Sequence, residues 1–253
     1  MPINGSAQGT APAVLTLTGL LLTGCGLGKL ELATDPWQPP PAAAPDKTPA
    51  PREPCHQSVP ERQALYGDLH IHTSLSMDAN SLGTRTLPDD AYAYATGQEI
   101  DVHGIEPGAA PRTAKIDRPL DFAAVTDHAE WLAEVSLCTT PGSATYDSSG
   151  CAIYRGESVS MFALLLGVEG FRARLGGLIG LTGRRDDVCG DDDALCRAEL
   201  LNVWRDIQAS AERWYDRSAD CSFTTFHAWE YSHSPQATKV HRNVILRNEV
   251  VPE

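Results

Sequence analysis

The sequence predicts an α/β fold with largely parallel strands, and three observations lead there. Short apolar segments suited to strands alternate with helical ones, the strand-like segments run out into histidines and carboxylates, and a long amphipathic helix precedes the last strands. Helical crossovers return a chain in the same direction, which makes neighbouring strands parallel. A content of 42% hydrophobic and 21% charged residues is ordinary for a globular chain of 253 residues, so a real core can form.

The elements follow in chain order. Residues 11–22 are a short apolar stretch, too short to span a bilayer comfortably, running into Leu22-Thr23-Gly24-Cys25. That tetrad resembles a bacterial lipobox, in which the Cys25 thiol receives a lipid. No Lys or Arg precedes the stretch, and Lys29 follows the cysteine. Residues 1–25 therefore read as a lipoprotein-like signal segment of an exported protein on the periplasmic side of a bacterial cell envelope. Residues 26–63 are crowded with proline and read as a disordered, extended linker that holds the folded part, 64–253, clear of the membrane.

Ala64 to His72 is predicted as a buried strand. Pro88 to Tyr94 opens a helix, with Pro88 in the first turn, Asp89 and Asp90 at its positive end and Gly97 as its stop. Leu120 to Thr126 is a second apolar strand. From Asp192 to Arg217, Leu200, Val203, Trp204, Ile207, Ala211 and Trp214 recur at helical spacing, and the tryptophans are expected in the core. Ser222 to Tyr231 and Asn243 to Arg247 return to strand composition.

The formal net charge of −13 and the lack of a dense basic run exclude nucleic acid as principal partner and leave the lipid anchor as the membrane contact. Arg172, Arg174, Arg184 and Arg185 are expected on a solvated face. Apart from Cys25 the cysteines form an even set, which in an exported chain suggests disulfides. Cys138 with Cys151 and Cys189 with Cys196 can close short loops, leaving Cys55 for Cys221. No Cys-x-x-Cys occurs to favour a zinc site instead.

Chemistry concentrates at strand ends. Side chains at i and i+2 share a strand face, so Asp68, His70 and His72 project together, and imidazoles beside carboxylates suit zinc, manganese or iron. Thr126-Asp127-His128 ends the second strand, and Trp229-Glu230-Tyr231 ends another with His241 shortly after. Functional groups collect at such carboxyl ends in parallel α/β sheets. There is no Gly-x-Ser-x-Gly elbow or phosphate-binding Gly-Lys-Ser/Thr loop, and Ser74 and Ser76 show no reason to be nucleophiles.

Taken in order, Tyr66-Gly67-Asp68-Leu69-His70-Ile71-His72-Thr73, Pro88-Asp89-Asp90-Ala91-Tyr92, Pro119-Leu120-Asp121-Phe122, Val125-Thr126-Asp127-His128-Ala129-Glu130, Phe223-Thr224-Thr225-Phe226 with Glu230, and His241-Arg242-Asn243-Val244-Ile245 closely resemble the bacterial domain of unknown function 3604 family. That family is similar to the polymerase and histidinol phosphatase (PHP) superfamily. The resemblance implies a distorted β/α barrel holding two or three divalent metal ions (Zn, Mn or Fe) for phosphoester hydrolysis. It implies that His70 and His72 bind the first metal, that Glu230 bridges the first and second with His241 in support, and that Asp78 and His128 serve the third. Asp68 and Asp127 are expected to orient imidazoles.

The predicted activity is hydrolysis of a small, phosphorylated substrate by metal-activated water, with amide or sulfate esters as the other substrates. Closing a parallel barrel takes about eight strands, more than this chain supplies, and superfamily members carry later His and Asp ligands. The expectation is an incomplete barrel of the PHP type in a truncated, weakly active or inactive fragment. A lipid-anchored, non-catalytic metal- or ligand-binding envelope protein is the alternative.

Overall fold

The computed structural model describes residues 48–49, 51–102, 110, 112–179, 184–233 and 240–251, and at its centre three strands pair in parallel. Strand β1 (Gly67–Ile71) lies beside β4 (Phe122–Val125), which lies beside β5 (Thr224–Thr225). The middle strand is the apolar one: Ala123, Ala124 and Val125 are fully buried, as a strand covered on both faces must be. Gly67 lets β1 approach, since a Cβ there would sit 2.4 Å from the Phe122 carbonyl oxygen.

Helix α2 (Pro88–Ala95) and the long α8 (Ala194–Trp214) cover this sheet. Tyr92, Ala95, Ala211 and Phe223 pack against Ala123 and Val125, with Trp214 at the margin. Asp89, in the first turn of α2, accepts a hydrogen bond from the Trp214 indole and pairs with Arg213, joining the two helices. Further along α8, Val203 and Ile207 pack with Leu132, and Trp204 meets Trp229 edge-on at 5.4 Å between centroids. The tryptophans are packing residues, as the helical spacing predicts.

Two antiparallel ribbons correct the expectation of parallel strands. Strands β2 (Ile100–Val102) and β3 (Arg112–Ala114) pair with each other, and β6 (His227–His233) folds back on β7 (Val240–Leu246). The segment read as one strand from Ser222 to Tyr231 is thus split at Phe226: β5 stays in the parallel sheet while β6 leaves it for a hairpin. Composition could not show this, because half-buried strands of either sense are β-branched and aromatic alike.

Between β4 and α8 runs a cluster of short helices: α3 (Leu132–Thr139), α4 (Ser149–Arg155), α5 (Met161–Leu166), α6 (Gly170–Leu175) and α7 (Asp186–Cys189). Their core holds Val135, Leu137, Tyr154, Leu178 and Val188 together with two disulfides, Cys138–Cys151 and Cys189–Cys196. A third, Cys55–Cys221, spans a sequence separation of 166. All three pairings are those the sequence suggested, and they are compatible with an oxidising, extracytoplasmic compartment.

Among the four arginines expected on a solvated face, only Arg172 is exposed. Arg184 pairs with the fully buried Glu134 at 3.1 Å, Arg185 with Asp187, and Arg174 donates to the Ser81 carbonyl. A carboxylate out of water requires such a counter-charge, and that draws arginines inward.

Cys25, the apolar stretch before it and most of the linker lie outside the described residues. Residues 51–66 carry no helix or strand, yet this end of the linker is stapled by Cys55, and the His56 amide donates to the Ala219 carbonyl. No described helix is long and apolar enough to cross a membrane.

Two predictions follow from this packing. Replacing Cys55 and Cys221 together by Ser should cost about 2–5 kcal/mol in chemical denaturation, because the long unfolded loop is no longer closed; unchanged stability would show the staple to be idle. The Arg185 guanidinium, helped by Ser149 and the Gly150 amide against burial, holds Asp187 down to about 2 from 3.8. A depressed carboxyl contributes stability above its unfolded value and loses it as pH falls through its folded one. Wild type should therefore lose more stability than Asp187→Asn between pH 3.8 and about 2, and melting curves in which both lose equally would contradict the assignment.

Candidate metal centre

Four segments deliver nitrogen and oxygen donors to one place. His70 lies in β1 and His72 just past its end, with the β1–β4 register shifting between Asp68 and Ile71. His128 lies three residues past the end of β4, after Thr126 and Asp127. Glu230 is set beside it by an isolated parallel bridge, in which the Glu230 amide donates to the Asp127 carbonyl at 2.9 Å. On the hairpin, His241 of β7 faces Ser232 in register and shares a side with Glu230. Asp78 stands in the first turn of α1 (Met77–Ser81), on the loop leaving β1.

Glu230 is the hub. It is fully buried, and its Oε2 lies 2.7 Å from His72 Nε2, 3.1 Å from His70 Nε2 and 3.8 Å from His128 Nε2, while its Oε1 contacts His241 Nδ1. Asp78 forms a second focus, 3.1 Å from His72 Nδ1 and 3.6 Å from His128 Nε2. The rings run in series: His70 to His72 at 5.0 Å, His72 to His128 at 4.8 Å and His128 to His241 at 5.2 Å between centroids. His128 is buried, whereas the side chains of His70 and His241 are 58% and 46% exposed, so the cluster opens to solvent on their side.

Three donor sets can each hold an ion: His70, His72 and Glu230; His72, Asp78 and His128; His128, Glu230 and His241. Imidazole nitrogens mixed with carboxylate oxygens suit zinc, manganese or iron, so the donor chemistry fits the group the resemblance implies. A fourth set, Glu134 with Cys189 and Cys196, has both sulfurs in a disulfide and offers no thiolate.

The electrostatics match a site that attracts cations. Burial works to raise the Asp78 carboxyl, but hydrogen bonds from His128, His72, Ser76 and the Ala79 amide prevail and hold it far below the usual carboxylate range. Burial likewise opposes charge on His128, yet Asp78, Glu130 and Glu230 push it up to about 10, and Asp78 and Glu230 raise His72. Glu230 is lowered against its burial by the His128 charge and by hydrogen bonds from His72, His241 and His70. Protons on the imidazoles balance these carboxylates where no other cation does.

Every metal ligand expected from the sequence, His70, His72, Asp78, His128, Glu230 and His241, falls within this cluster. The two aspartates expected to orient imidazoles do something else. Asp68 Oδ1 accepts the His70 backbone amide at 2.9 Å, and the buried Asp127 accepts the Thr73 amide and, at 2.6 Å, the Thr73 hydroxyl. Both fix the main chain that carries His70 and His72, Asp68 by a local bond two residues on and Asp127 by reaching across to the segment that follows β1. Burial raises Asp127 to about 6 despite Thr73.

Sequence reasoning passed over Ser76 and Ser232. Ser76 donates to Asp78 Oδ1 at 2.6 Å and accepts the His128 amide at 3.2 Å; the Ser232 hydroxyl lies 2.7 Å from His128 Nδ1. The position of Ser232, two residues beyond Glu230 on one strand, was the available signal.

The class so defined is an α/β protein with a buried carboxylate and four converging imidazoles at the carboxyl edge of a parallel sheet. The chain belongs to the family described as Protein of unknown function (DUF3604), whose model matches residues 59–253. No curated protein and no solved structure matches it.

Because Asp127 is anchored through Thr73, Thr73→Val should cost about 1–3 kcal/mol by leaving a buried carboxylate short of a donor. Urea unfolding checks this, and a variant as stable as wild type would remove Asp127 from the site's scaffold.

Proposed function

We propose that the chain carries the metal centre of a hydrolase that uses two or three divalent ions, Zn, Mn or Fe, on a small phosphorylated substrate. The observation behind this reading is Glu230, one buried carboxylate reached by four imidazoles so that neighbouring donor sets share ligands. In the proposed arrangement His70, His72 and Glu230 hold the first ion and Glu230 with His241 the second, while His128, which offers the single lone pair of Nε2, completes either the second ion or, with Asp78, a third. Ions held there would supply Lewis acidity and acidify water, as divalent centres of hydrolases do.

The chain's own residues account for the rest. Glu230 and Asp78 fix the negative charge that selects cations, and the buried His128 side keeps that charge out of bulk water, where its field would be screened. The exposed rims of His70 and His241 give a small substrate its approach, and several concentrated cations favour an anionic one despite the acidic chain.

The phosphoester comes from similarity to the PHP superfamily, as does the wider distorted β/α barrel of which β1, β4 and β5 form a parallel part; the residues alone carry metal-assisted hydrolysis. Lipidation at Cys25 would tether this activity at the periplasmic side of a bacterial envelope, and the disulfides suit that compartment.

The protein should bind divalent ions, lose the ion on His70, His72 and Glu230 when His70 and His72 are both changed to Ala, and keep that ion in Asp78→Ala, where this donor set survives. Elemental analysis and calorimetry check the binding, and equal metal content in wild type and the double variant would refute the site. Turnover of a generic phosphate monoester that a chelator abolishes and metal restores supports the hydrolase; tight binding without turnover of phosphate, amide or sulfate esters supports a non-catalytic binding protein.

A further inference from the structure

His128 has two nitrogens in two different environments. Its Nε2 faces the cluster, 3.6 Å from Asp78 Oδ2 and 3.8 Å from Glu230 Oε2. Its Nδ1 faces away, 2.7 Å from the Ser232 hydroxyl and 3.5 Å from Glu130 Oε2. Glu130 belongs to the short helical turn Ala129–Trp131 immediately after His128, and its other oxygen, Oε1, accepts the Ser232 backbone amide. The Glu130 carbonyl also accepts a hydrogen bond from Arg184, whose guanidinium is anchored on buried Glu134. Glu130 and Ser232 are thus locked to each other across the gap between the β4 loop and β6.

One detail needs explaining. Glu130 Oε2 is buried and accepts no hydrogen bond. A buried carboxylate oxygen accepts and cannot donate when ionised, so the group it lacks is an N–H or O–H. The nearest ring nitrogen is His128 Nδ1. A proton on Nδ1 donates to the Ser232 hydroxyl at 2.7 Å and faces the Glu130 carboxylate at 3.5 Å, and in the neutral ring it leaves the lone pair on Nε2, the nitrogen turned toward Asp78 and Glu230.

We propose that Ser232 and Glu130 are positioning residues that hold the His128 proton on Nδ1 and so present Nε2 as the ligand atom. The inference rests on the metal-centre reading above and extends it to residues that touch no ion. Carboxylates and hydroxyls behind a ligating imidazole fix its tautomer and orientation, and their loss typically weakens metal affinity about 10–100-fold.

The test has two arms. In metal-free wild type brought above the pH at which the His128 ring gives up its second proton, nitrogen-15 NMR of the imidazoles should find the neutral ring protonated on Nδ1; a neutral ring protonated on Nε2 overturns the proposal whether or not any ion binds. In the second arm, zinc is titrated into full-length wild type, Ser232→Ala, Glu130→Ala and Ser232→Thr. Both alanine variants should bind the ions that use His128 about 10–100-fold more weakly and retain the ion on His70, His72 and Glu230, while Ser232→Thr, which keeps the hydroxyl, stays near wild type. Unchanged affinity in both alanine variants, with circular dichroism showing them folded, also overturns the proposal. Wild type that takes up no zinc while its His128 proton sits on Nδ1 leaves the positioning role supported and refutes the metal centre, so the two failures are distinct.

Discussion

The arrangement depends on one constraint: the Glu230 carboxylate is fully buried and must be paired there. An isolated carboxylate removed from water costs several kcal/mol even after relaxation, so the fold has to bring cations or donors to it. It brings His70 and His72 from β1, His128 from the end of β4 and His241 from β7. Three pieces of chain, from β1, the end of β4 and the neighbouring strand β7, are thereby held to a single side chain, and the same pairing that satisfies the fold creates the donor sets.

The scaffold makes this convergence possible at modest conformational cost. Parallel β1 and β4 end on the same edge, so the residues that follow them, His72 and His128, emerge side by side. Asp68 and Asp127 then secure the main chain at the end of β1 by accepting the His70 and Thr73 amides. The β6–β7 hairpin docks through the bridge between His128 and Glu230 and carries both Glu230 and His241. Disulfides secure the periphery: one ties the segment before β1 to the loop before β5, and two lie in the core of the short-helix cluster.

Much of the site was legible in the sequence because its ligands obey local rules. His70 and His72 are two apart at a strand end, and His128 terminates an apolar strand. Glu230 and His241 were also legible as a strand end and its sequel, but their bridging and supporting roles came from the ordered family resemblance, since nothing local reveals that β6 leaves the parallel sheet. Helix α3 escaped periodicity analysis for a physical reason: every residue from Leu132 to Cys138 is buried, including Glu134, so no polar face marks a 3.6-residue repeat. Arg184 and Arg185 read as solvated because their partners, Glu134 and Asp187, are assigned by packing and not by spacing alone. The roles of Glu130 and Ser232 were hidden likewise, as they depend on which nitrogen of one ring faces which strand.

The most direct measurement of the central claim is anomalous diffraction from crystals of the protein grown with zinc or manganese, collected on either side of the metal's absorption edge. The account predicts at least two peaks that share Glu230 as ligand, one completed by His70 and His72 and one by His128 and His241. Peaks confined to other parts of the molecule, or none at saturating metal while Glu230 stays hydrogen-bonded to protonated imidazoles, would contradict it.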